Sequence, residues 1–224
     1  MADFDPGTGL GPRLRLVRGS RQLSVRELAR RVGCSASLIS QIERGVSVPS
    51  VGVLYSLATE LGSSLDYLLF GSGAGPDGVP AVDAGPPAVP EPRQPPGGVT
   101  GVTGSVPPPA IVQRGCDRRI IDLASGVRWE RLTPQSEAMT DFLEVIYSPG
   151  GHSTDERRPL RHDGREYGLV ISGTLTANVG FESYELGPGD SIAFDSSTPH
   201  EYLNKTGDYV HAIWVVVHSE PGRA

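Results

Sequence analysis

The sequence predicts a multi-domain α + β chain, in which an all-α N-terminal bundle is joined by a flexible linker to a C-terminal β-barrel. Helical periodicity runs through residues 10–70, and short alternating apolar runs fill residues 110–218. Residues 71–109 between them hold 11 Pro and nine Gly, a content that is typical of a linker. We expect residues 1–9 to be a disordered N-terminus and residues 219–224 to be a tail.

The first 70 residues predict five helices, because caps and glycines punctuate an apolar spacing of three and four residues. Ser24-Val25-Arg26-Glu27 has the pattern of a capping box, in which Glu27 reaches back to the N-cap residue. Gly33 ends the second helix, and Ser35 caps a third that extends to about Arg44. The fourth helix opens at Pro49-Ser50 and carries the apolar stripe Val53, Leu54, Leu57, Ala58 and Leu61.

Two short helices joined at a glycine turn predict a helix-turn-helix, whose second helix enters the major groove of DNA. The third helix offers small polar side chains that allow close approach, while Gln41 suits an adenine edge and Arg44 suits guanine or phosphate. The residues expected at DNA are Ser24, Arg26, Ser35, Ala36, Ser37, Ser40, Gln41 and Arg44. A helical bundle that merely uses good caps is the alternative.

The stretch ELARRVGCSASLISQIERGVSVPS closely resembles the Xre-type family of phage-repressor-like DNA-binding domains, over about residues 10–70. This resemblance implies a lambda-repressor-like fold. It implies base contacts at the positions of Ala36, Ser37 and Gln41, and phosphate contacts at Ser24, Ser35, Ser40 and Arg44. Ala36 departs from the Gln-rich readers of phage repressors and offers only an apolar contact to a thymine methyl group.

Charge separates the two predicted domains. The formal net charge of the chain is −6, yet residues 1–70 carry eight Arg against six acids, and residues 110–224 carry 11 basic against 17 acidic residues. Seven of those Arg lie between Arg13 and Arg31, a density that favours a phosphate backbone as partner. A solvated helical face is the alternative interpretation of the same arginines.

Several protein classes are not expected. No apolar run approaches the roughly 18 residues of a membrane helix, and the N-terminus lacks the pattern of a secretory signal. Cys34 and Cys116 lie on opposite sides of the linker and form no disulfide or metal pattern. We therefore expect a soluble cytoplasmic protein with no membrane partner.

The second domain predicts an antiparallel sandwich or barrel, because turn residues separate several short apolar runs. The expected strands are 127–132, 142–147, 167–171, 175–179, 191–194 and 211–217. The same domain contains three sequence runs in order: His162-x3-Glu166-x6-Gly173, Gly187-Pro188-Gly189-Asp190 and Pro199-His200-x3-Asn204. These runs resemble the two cupin motifs, in order, and imply a cupin (jelly-roll) barrel of the Cupin_2 type.

The resemblance to cupins implies a metal site of His-x-His, Glu and a later His. Leu160 occupies the first His position here, so His162, Glu166 and His200 remain. Such a set suits Fe(II), and with added waters Zn, Ni or Mn. His152 and His211 are possible substitutes, and a metal-free pocket whose polar groups bind each other or an organic ligand is the alternative.

A ligand pocket is expected inside the barrel. Its candidate residues are Tyr147, His152, Tyr202 and His211, with Arg128, Glu144, Arg161 and Trp214 to be added if their strand parity points inward. Parity depends on strand register, because a slip of one residue moves every side chain to the other face.

Together the motifs resemble bacterial Xre-cupin transcriptional regulators, which implies a homodimer that binds a double-stranded DNA operator and senses a small-molecule effector or a metal. The alternative is an enzyme, since hydroxypropylphosphonate epoxidases share the architecture and hold Fe(II) through His, Glu and His. Those enzymes use a Lys from the helical domain, whereas residues 1–204 here contain none. The 39-residue linker predicts loosely placed DNA-binding domains and weak coupling between effector and operator.

Overall fold

Helices occupy the first part of the computed structural model and antiparallel strands the second. The structure describes residues 9–71, 111–137, 139–154 and 159–218. The predicted linker and both predicted termini lie almost wholly outside the described residues. Among the residues described, no helix is long and apolar enough to span a membrane.

Five helices form the N-terminal domain, as predicted. They are α1 (Leu10–Ser20), α2 (Val25–Val32), α3 (Ala36–Glu43), α4 (Val51–Leu61) and α5 (Leu65–Phe70). The hydroxyls of Ser24, Ser35 and Ser50 each accept a hydrogen bond from a backbone N–H in the first turn of the helix that follows. These bonds satisfy N–H groups that have no partner within the helix, which is why the helices begin there.

The capping box at α2 is only half formed. Ser24 Oγ accepts from the Glu27 N–H at 3.1 Å. The Glu27 carboxylate does not return to the N-cap as predicted, because it accepts hydrogen bonds from the guanidinium groups of Arg30 and Arg31 instead. Gly33 then ends the helix in the left-handed conformation, with φ of 78°.

Among the residues described, nine antiparallel strands form two sheets that enclose the apolar interior of the second domain. The strands are β1 (Ile120–Leu123), β2 (Val127–Arg131), β3 (Thr140–Tyr147), β4 (Arg165–Ser172), β5 (Leu175–Val179), β6 (Glu182–Leu186), β7 (Ser191–Asp195), β8 (His200–Leu203) and β9 (Val210–Val217). The larger sheet has the order β1-β2-β3-β9-β4-β7 and the smaller has β6-β5-β8. This arrangement confirms the predicted antiparallel barrel.

Strand register settles which side chains face the interior of the barrel. In β9, alternate residues are buried, and two of them, Ala212 and Trp214, lie opposite buried residues of both β3 and β4. The outer face of the same sheet carries half-exposed and exposed residues, including Phe142, Tyr167 and Leu169. The barrel therefore has one apolar inner surface and a partly apolar outer one.

The helical domain packs directly against the barrel. Buried residues of both domains form one continuous apolar core. The Gly52 N–H donates to the Ser153 carbonyl at 3.1 Å, and the Ala124 N–H donates to the Pro49 carbonyl at 3.2 Å. The expectation of loosely placed domains is therefore wrong for this structure, because α4 and the segment before it contact the barrel directly.

A buried ion pair strengthens the contact at α5. Arg131 on β2 lies 3.4 Å from Asp66, and both side chains are almost fully buried. The Arg131 guanidinium also stands 5.2 Å from the centre of the Phe70 ring. Charge and aromatic surface from the two domains are thus buried together between them.

Candidate metal centre and DNA-reading face

Three side chains predicted from the cupin motifs meet inside the barrel. Glu166 lies on β4, His200 opens β8, and His162 stands in the segment before β4. Backbone bonds hold these segments in place: Leu160 and His200 exchange hydrogen bonds of 2.7 and 3.0 Å, and the His162 N–H donates to Ser196 at 3.1 Å. Leu160, which replaces the first motif histidine, is thus a backbone partner of His200 and part of the apolar wall.

The three metal-ligand candidates point at one another. Glu166 Oε1 lies 2.8 Å from His162 Nε2 and 3.0 Å from His200 Nε2. None of these atoms has a hydrogen bond of acceptable geometry within the described structure, although all three are buried. Ligands at right angles around an ion with bonds of about 2.1 Å would stand about 3.0 Å apart, so the spacing fits a shared metal ion.

The histidine tautomers favour the same use. His200 Nδ1 lies 2.8 Å from the Thr198 carbonyl, and His162 Nδ1 lies 3.3 Å from the Asp163 carbonyl. A carbonyl only accepts hydrogen bonds, so each Nδ1 carries a proton, and each Nε2 is the atom that would present a lone pair to a metal ion. Such outer contacts orient the imidazoles of metal-binding histidines.

The second oxygen of Glu166 is held separately. Its Oε2 accepts hydrogen bonds from the Tyr202 hydroxyl at 2.6 Å and from Trp214 Nε1 at 2.7 Å. Trp214 reaches this position over Gly168, where an added Cβ would stand only 2.3 Å from the indole ring. The carboxylate is therefore fixed, with one oxygen bound and the other turned toward the histidines.

Electrostatics keeps this carboxylate ionised. Burial alone would raise the pKa of Glu166, but positive charge on the facing His162 and His200 outweighs it and lowers the pKa well below its usual range. Burial also raises the pKa values of the Tyr147 and Tyr202 phenols, and the negative charge of Glu166 raises them further. A divalent cation would take the place of that positive charge, held by the carboxylate and the two imidazole lone pairs, a donor set that suits such an ion.

A ring from the helical domain covers this centre. Tyr55 on α4 stacks on His162, with ring centroids 4.4 Å apart and planes 5° from parallel. It also meets the edge of Trp129, with centroids 5.9 Å apart. The cavity that remains has a volume of about 20 Å³. It is lined by Val51, Tyr55, Trp129, Leu143, Val145, Tyr147, Ser153, Leu160, Glu166, Tyr202, Trp214 and Val216.

Some predicted pocket residues lie inside the barrel and others do not. Tyr147, Tyr202 and Trp214 line the cavity. His211 lies on the outer face of the sheet, 3.0 Å from Glu144, so neither belongs to the pocket. The predicted place of His211 is therefore corrected, because the register of β9 turns Trp214 inward and His211 outward.

The remaining candidates also lie elsewhere. Arg128 pairs with Asp122 on the exposed face of β2. Arg161 is exposed. His152 Nδ1 contacts the Thr154 carbonyl, and this histidine is not one of the group whose ligand atoms converge. The prediction missed Tyr55, Trp129 and Ser153, since nothing in the local pattern around them indicates that they face the other domain.

The DNA-reading face predicted for α2 and α3 lies on the surface of the helical domain. Ser24, Arg26, Ser35, Ser37 and Arg44 are exposed. Ala36, Ser40 and Gln41 are half-buried. These eight residues thus lie at the ends and along one side of two adjacent helices.

The predicted arginine cluster divides into two groups. Arg13, Arg18 and Arg21 have roles within the fold: Arg13 donates to Leu68 at 2.8 Å, and Arg21 donates to Leu61 at 3.1 Å. Arg18 forms a 2.5 Å ion pair with Glu43. Of the other members, Arg15, Arg26, Arg30 and Arg31 are exposed, and Glu27 pairs with the last two. The count of arginines therefore overstates the charge available to DNA.

Comparison with known proteins agrees with both domains. A family model for a helix-turn-helix matches residues 14–68, and one for a cupin domain matches residues 143–216. The HTH-type transcriptional regulator PuuR of Escherichia coli K12 is 27% identical over 202 residues, which cover 89% of this chain and 90% of that protein. PuuR of Shigella flexneri gives the same values.

A solved structure shows the same fold. The crystal structure of an HTH_3 family transcriptional regulator from Vibrio cholerae aligns with a TM-score of 0.59 and 20% identity. The alignment covers 94% of this chain and 96% of that one. Both the helical bundle and the barrel therefore have counterparts within one solved chain.

Proposed function

We propose that the chain is a transcriptional regulator whose helix-turn-helix domain binds DNA and whose cupin domain senses a small molecule. The sensing site would be a metal-binding centre of His162, Glu166 and His200. The observation that carries this proposal is the convergence of three buried ligand atoms that lack hydrogen bonds. A domain that only supported the fold would lose stability by burying such groups without partners. A divalent metal bound there would supply a positive charge and a Lewis-acid position for an effector.

We propose operator binding through the face predicted from the sequence. Gln41 would read an adenine edge, Ala36 and Ser37 would contact bases, and the capping serines with Arg26 and Arg44 would contact phosphates. An operator on the bacterial chromosome implies that the protein acts in the cytoplasm.

Genomic fragments captured on the purified protein test this proposal. We expect enrichment of one upstream site, with affinity falling steeply as salt rises. Gln41→Ala should weaken that site by about 1–3 kcal/mol and spare non-specific binding, whereas Arg26→Ala should weaken all sequences and reduce the salt slope by about one. Gln135→Ala, at an exposed glutamine of the cupin domain, is the matched control. No enriched site, together with turnover on Fe(II) and oxygen, would favour the enzyme alternative.

Metal content tests the cupin centre. Elemental analysis of wild type should find Fe, Zn, Ni or Mn at about one ion per chain, and the double variant with His162→Ala and His200→Ala should lose it. His211→Ala is the matched control, because His211 lies on the outer face of the barrel. Equal metal content in the double variant and wild type would contradict the assignment.

We also propose a homodimer formed through the outer face of the six-stranded sheet. Phe142, Tyr167, Leu169 and Ile171 are exposed there, between 36% and 52%. A second copy of the chain would cover these apolar side chains and place two reading helices on a two-fold operator. Light scattering of wild type and Leu169→Glu tests this, and a wild-type monomer would contradict it.

A further inference from the structure

We propose that the helical domain is the lid of the cupin site, with Tyr55 as its closing residue. A ligand larger than a water molecule then enters the site only when α4 leaves the barrel. The proposal rests on the proposed function in one respect, namely that the cupin site is where an effector binds. The closing contact itself is independent of metal, effector and DNA.

The space left beneath Tyr55 argues for a closed state. The cavity of about 20 Å³ holds about one water molecule, which needs roughly 10–15 Å³. Pockets for organic ligands measure about 300–1,000 Å³. An effector of several heavy atoms therefore cannot share the site with the ring that stacks on His162.

The position of Tyr55 identifies the part of the wall that can leave. Trp129, Tyr147, Tyr202 and Trp214 stand on paired strands of the barrel, so moving them breaks the sheets. Tyr55 reaches the cavity from the other domain, held by its own helix. Displacing it breaks the contacts between domains but no strand pairing within the barrel.

Two backbone bonds report whether α4 is docked. Gly52 lies in the first turn of α4, where N–H groups have no partner within the helix. Its N–H donates to Ser153 of the barrel, so protection of this amide from exchange depends on docking. The Ala124 N–H, which donates to Pro49, gives the same information from the barrel side.

A lid of this kind links the two functions of the chain. The bundle that carries Tyr55 also carries α3. When an occupied site displaces α4, the reading helix α3 is no longer held in a fixed position relative to the barrel. By thermodynamic reciprocity, whatever holds the helical domain in the docked position disfavours occupation of the site. The coupling thus passes through a direct contact and does not depend on the linker.

Histidine modification by diethyl pyrocarbonate, followed by mass spectrometry on the metal-free chain, tests the lid. In wild type, His162 and His200 should react much more slowly than His211, whose side chain is 38% exposed. Tyr55→Ala should speed their reaction by about tenfold or more, because the lid no longer closes. Tyr55→Phe, which keeps the stacked ring, should react like wild type. Equal rates at His162 and His200 in wild type and Tyr55→Ala would overturn the proposal.

A second measurement needs no variant. Prolonged treatment of wild type attaches carbethoxy groups to His162 or His200, which fills the site covalently. The Gly52 and Ala124 amides of these molecules should then exchange about tenfold faster or more, while amides of β3 keep their protection. Molecules modified only at His211 are the control. Unchanged exchange at Gly52 after modification of His200 would show that an occupied site and a docked lid coexist, and would refute the inference. Neither experiment involves metal or operator, so its failure is distinct from failure of the proposed function.

Discussion

Replacing Arg131 by Met should loosen the junction between the domains in a pH-dependent way. The substitution leaves Asp66 buried without its guanidinium partner, which lies 3.4 Å away in wild type. Removing one member of a buried ion pair costs about 3–5 kcal/mol. The Asp66 carboxylate avoids this cost by taking up a proton. For a group with an ordinary pKa of about 3.9, protonation costs about 4 kcal/mol of free energy at pH 7 but only about 1.5 kcal/mol at pH 5.

The pKa of Asp66 sets the sign of this dependence. Burial raises the pKa of Asp66, and Arg131 partly offsets that rise. A carboxyl group whose pKa is higher in the folded state favours folding when protonated, so its contribution is lost as the pH rises through the folded value. Without Arg131 the pKa rises further. The free energy of unfolding should therefore fall by about 3–4 kcal/mol at pH 7 and by no more than about 2 kcal/mol at pH 5.

Urea unfolding followed by tryptophan fluorescence measures both values, since Trp129 stands on the same strand as Arg131. Adding Asp66→Asn to Arg131→Met should restore all but about 1 kcal/mol, because no buried charge remains. Arg128→Met is the matched control: Arg128 pairs with Asp122 on the exposed side of that strand and should cost less than about 1 kcal/mol. The reasoning fails if Arg131→Met costs the same at both pH values, or if Asp66→Asn gives no rescue.

Two further predictions concern single sites. Ser35→Ala should lower the free energy of unfolding by about 1 kcal/mol, because it removes the hydroxyl that accepts a hydrogen bond from the Leu38 N–H. Thermal unfolding measures this effect, with Ser37→Ala at an exposed serine of the same helix as the control. An equal effect of both substitutions would contradict the role of the cap. His218 lies 2.7 Å from Asp141, and although burial lowers its pKa, Asp141 reverses the effect and raises it. The stabilising contribution of His218 is therefore complete below about pH 6.5 and is lost as the pH rises through the folded pKa. Asp141→Asn should lower the pKa of His218, which an NMR titration measures. An unchanged pKa would refute the pairing.

Local features of the fold were predictable from the sequence. The caps at Ser24, Ser35 and Ser50 depend on residues three positions apart, so sequence spacing alone places them. The metal-ligand candidates were predictable for a related reason, because the motifs fix the spacing of His162 and Glu166. Only the approach of His200 required the fold, and the barrel supplied it through pairing with Leu160.

Features that depend on register or on the other domain were not predictable. The sequence prediction missed strands β1, β6 and β8. Four of the five residues of β6 are exposed, so it lacks the alternation that indicates a strand. His211 and Trp214 differ only in parity, and that parity is defined by pairing with β3 and β4. Tyr55 lies among the core residues of α4, and no local pattern distinguishes an aromatic residue of that core from one that enters a neighbouring barrel.

The continuous apolar core has a consequence for how such a chain can be divided. A cupin domain expressed without its helices would expose Trp129, Leu143 and Leu160 around an open mouth, where the intact chain buries them. That fragment would be prone to self-association, and it would accept ligands that the chain excludes while α4 is docked. The two domains are separate in sequence but bury this surface together, so ligand screens on the isolated barrel would select compounds for a surface that the docked helical domain covers.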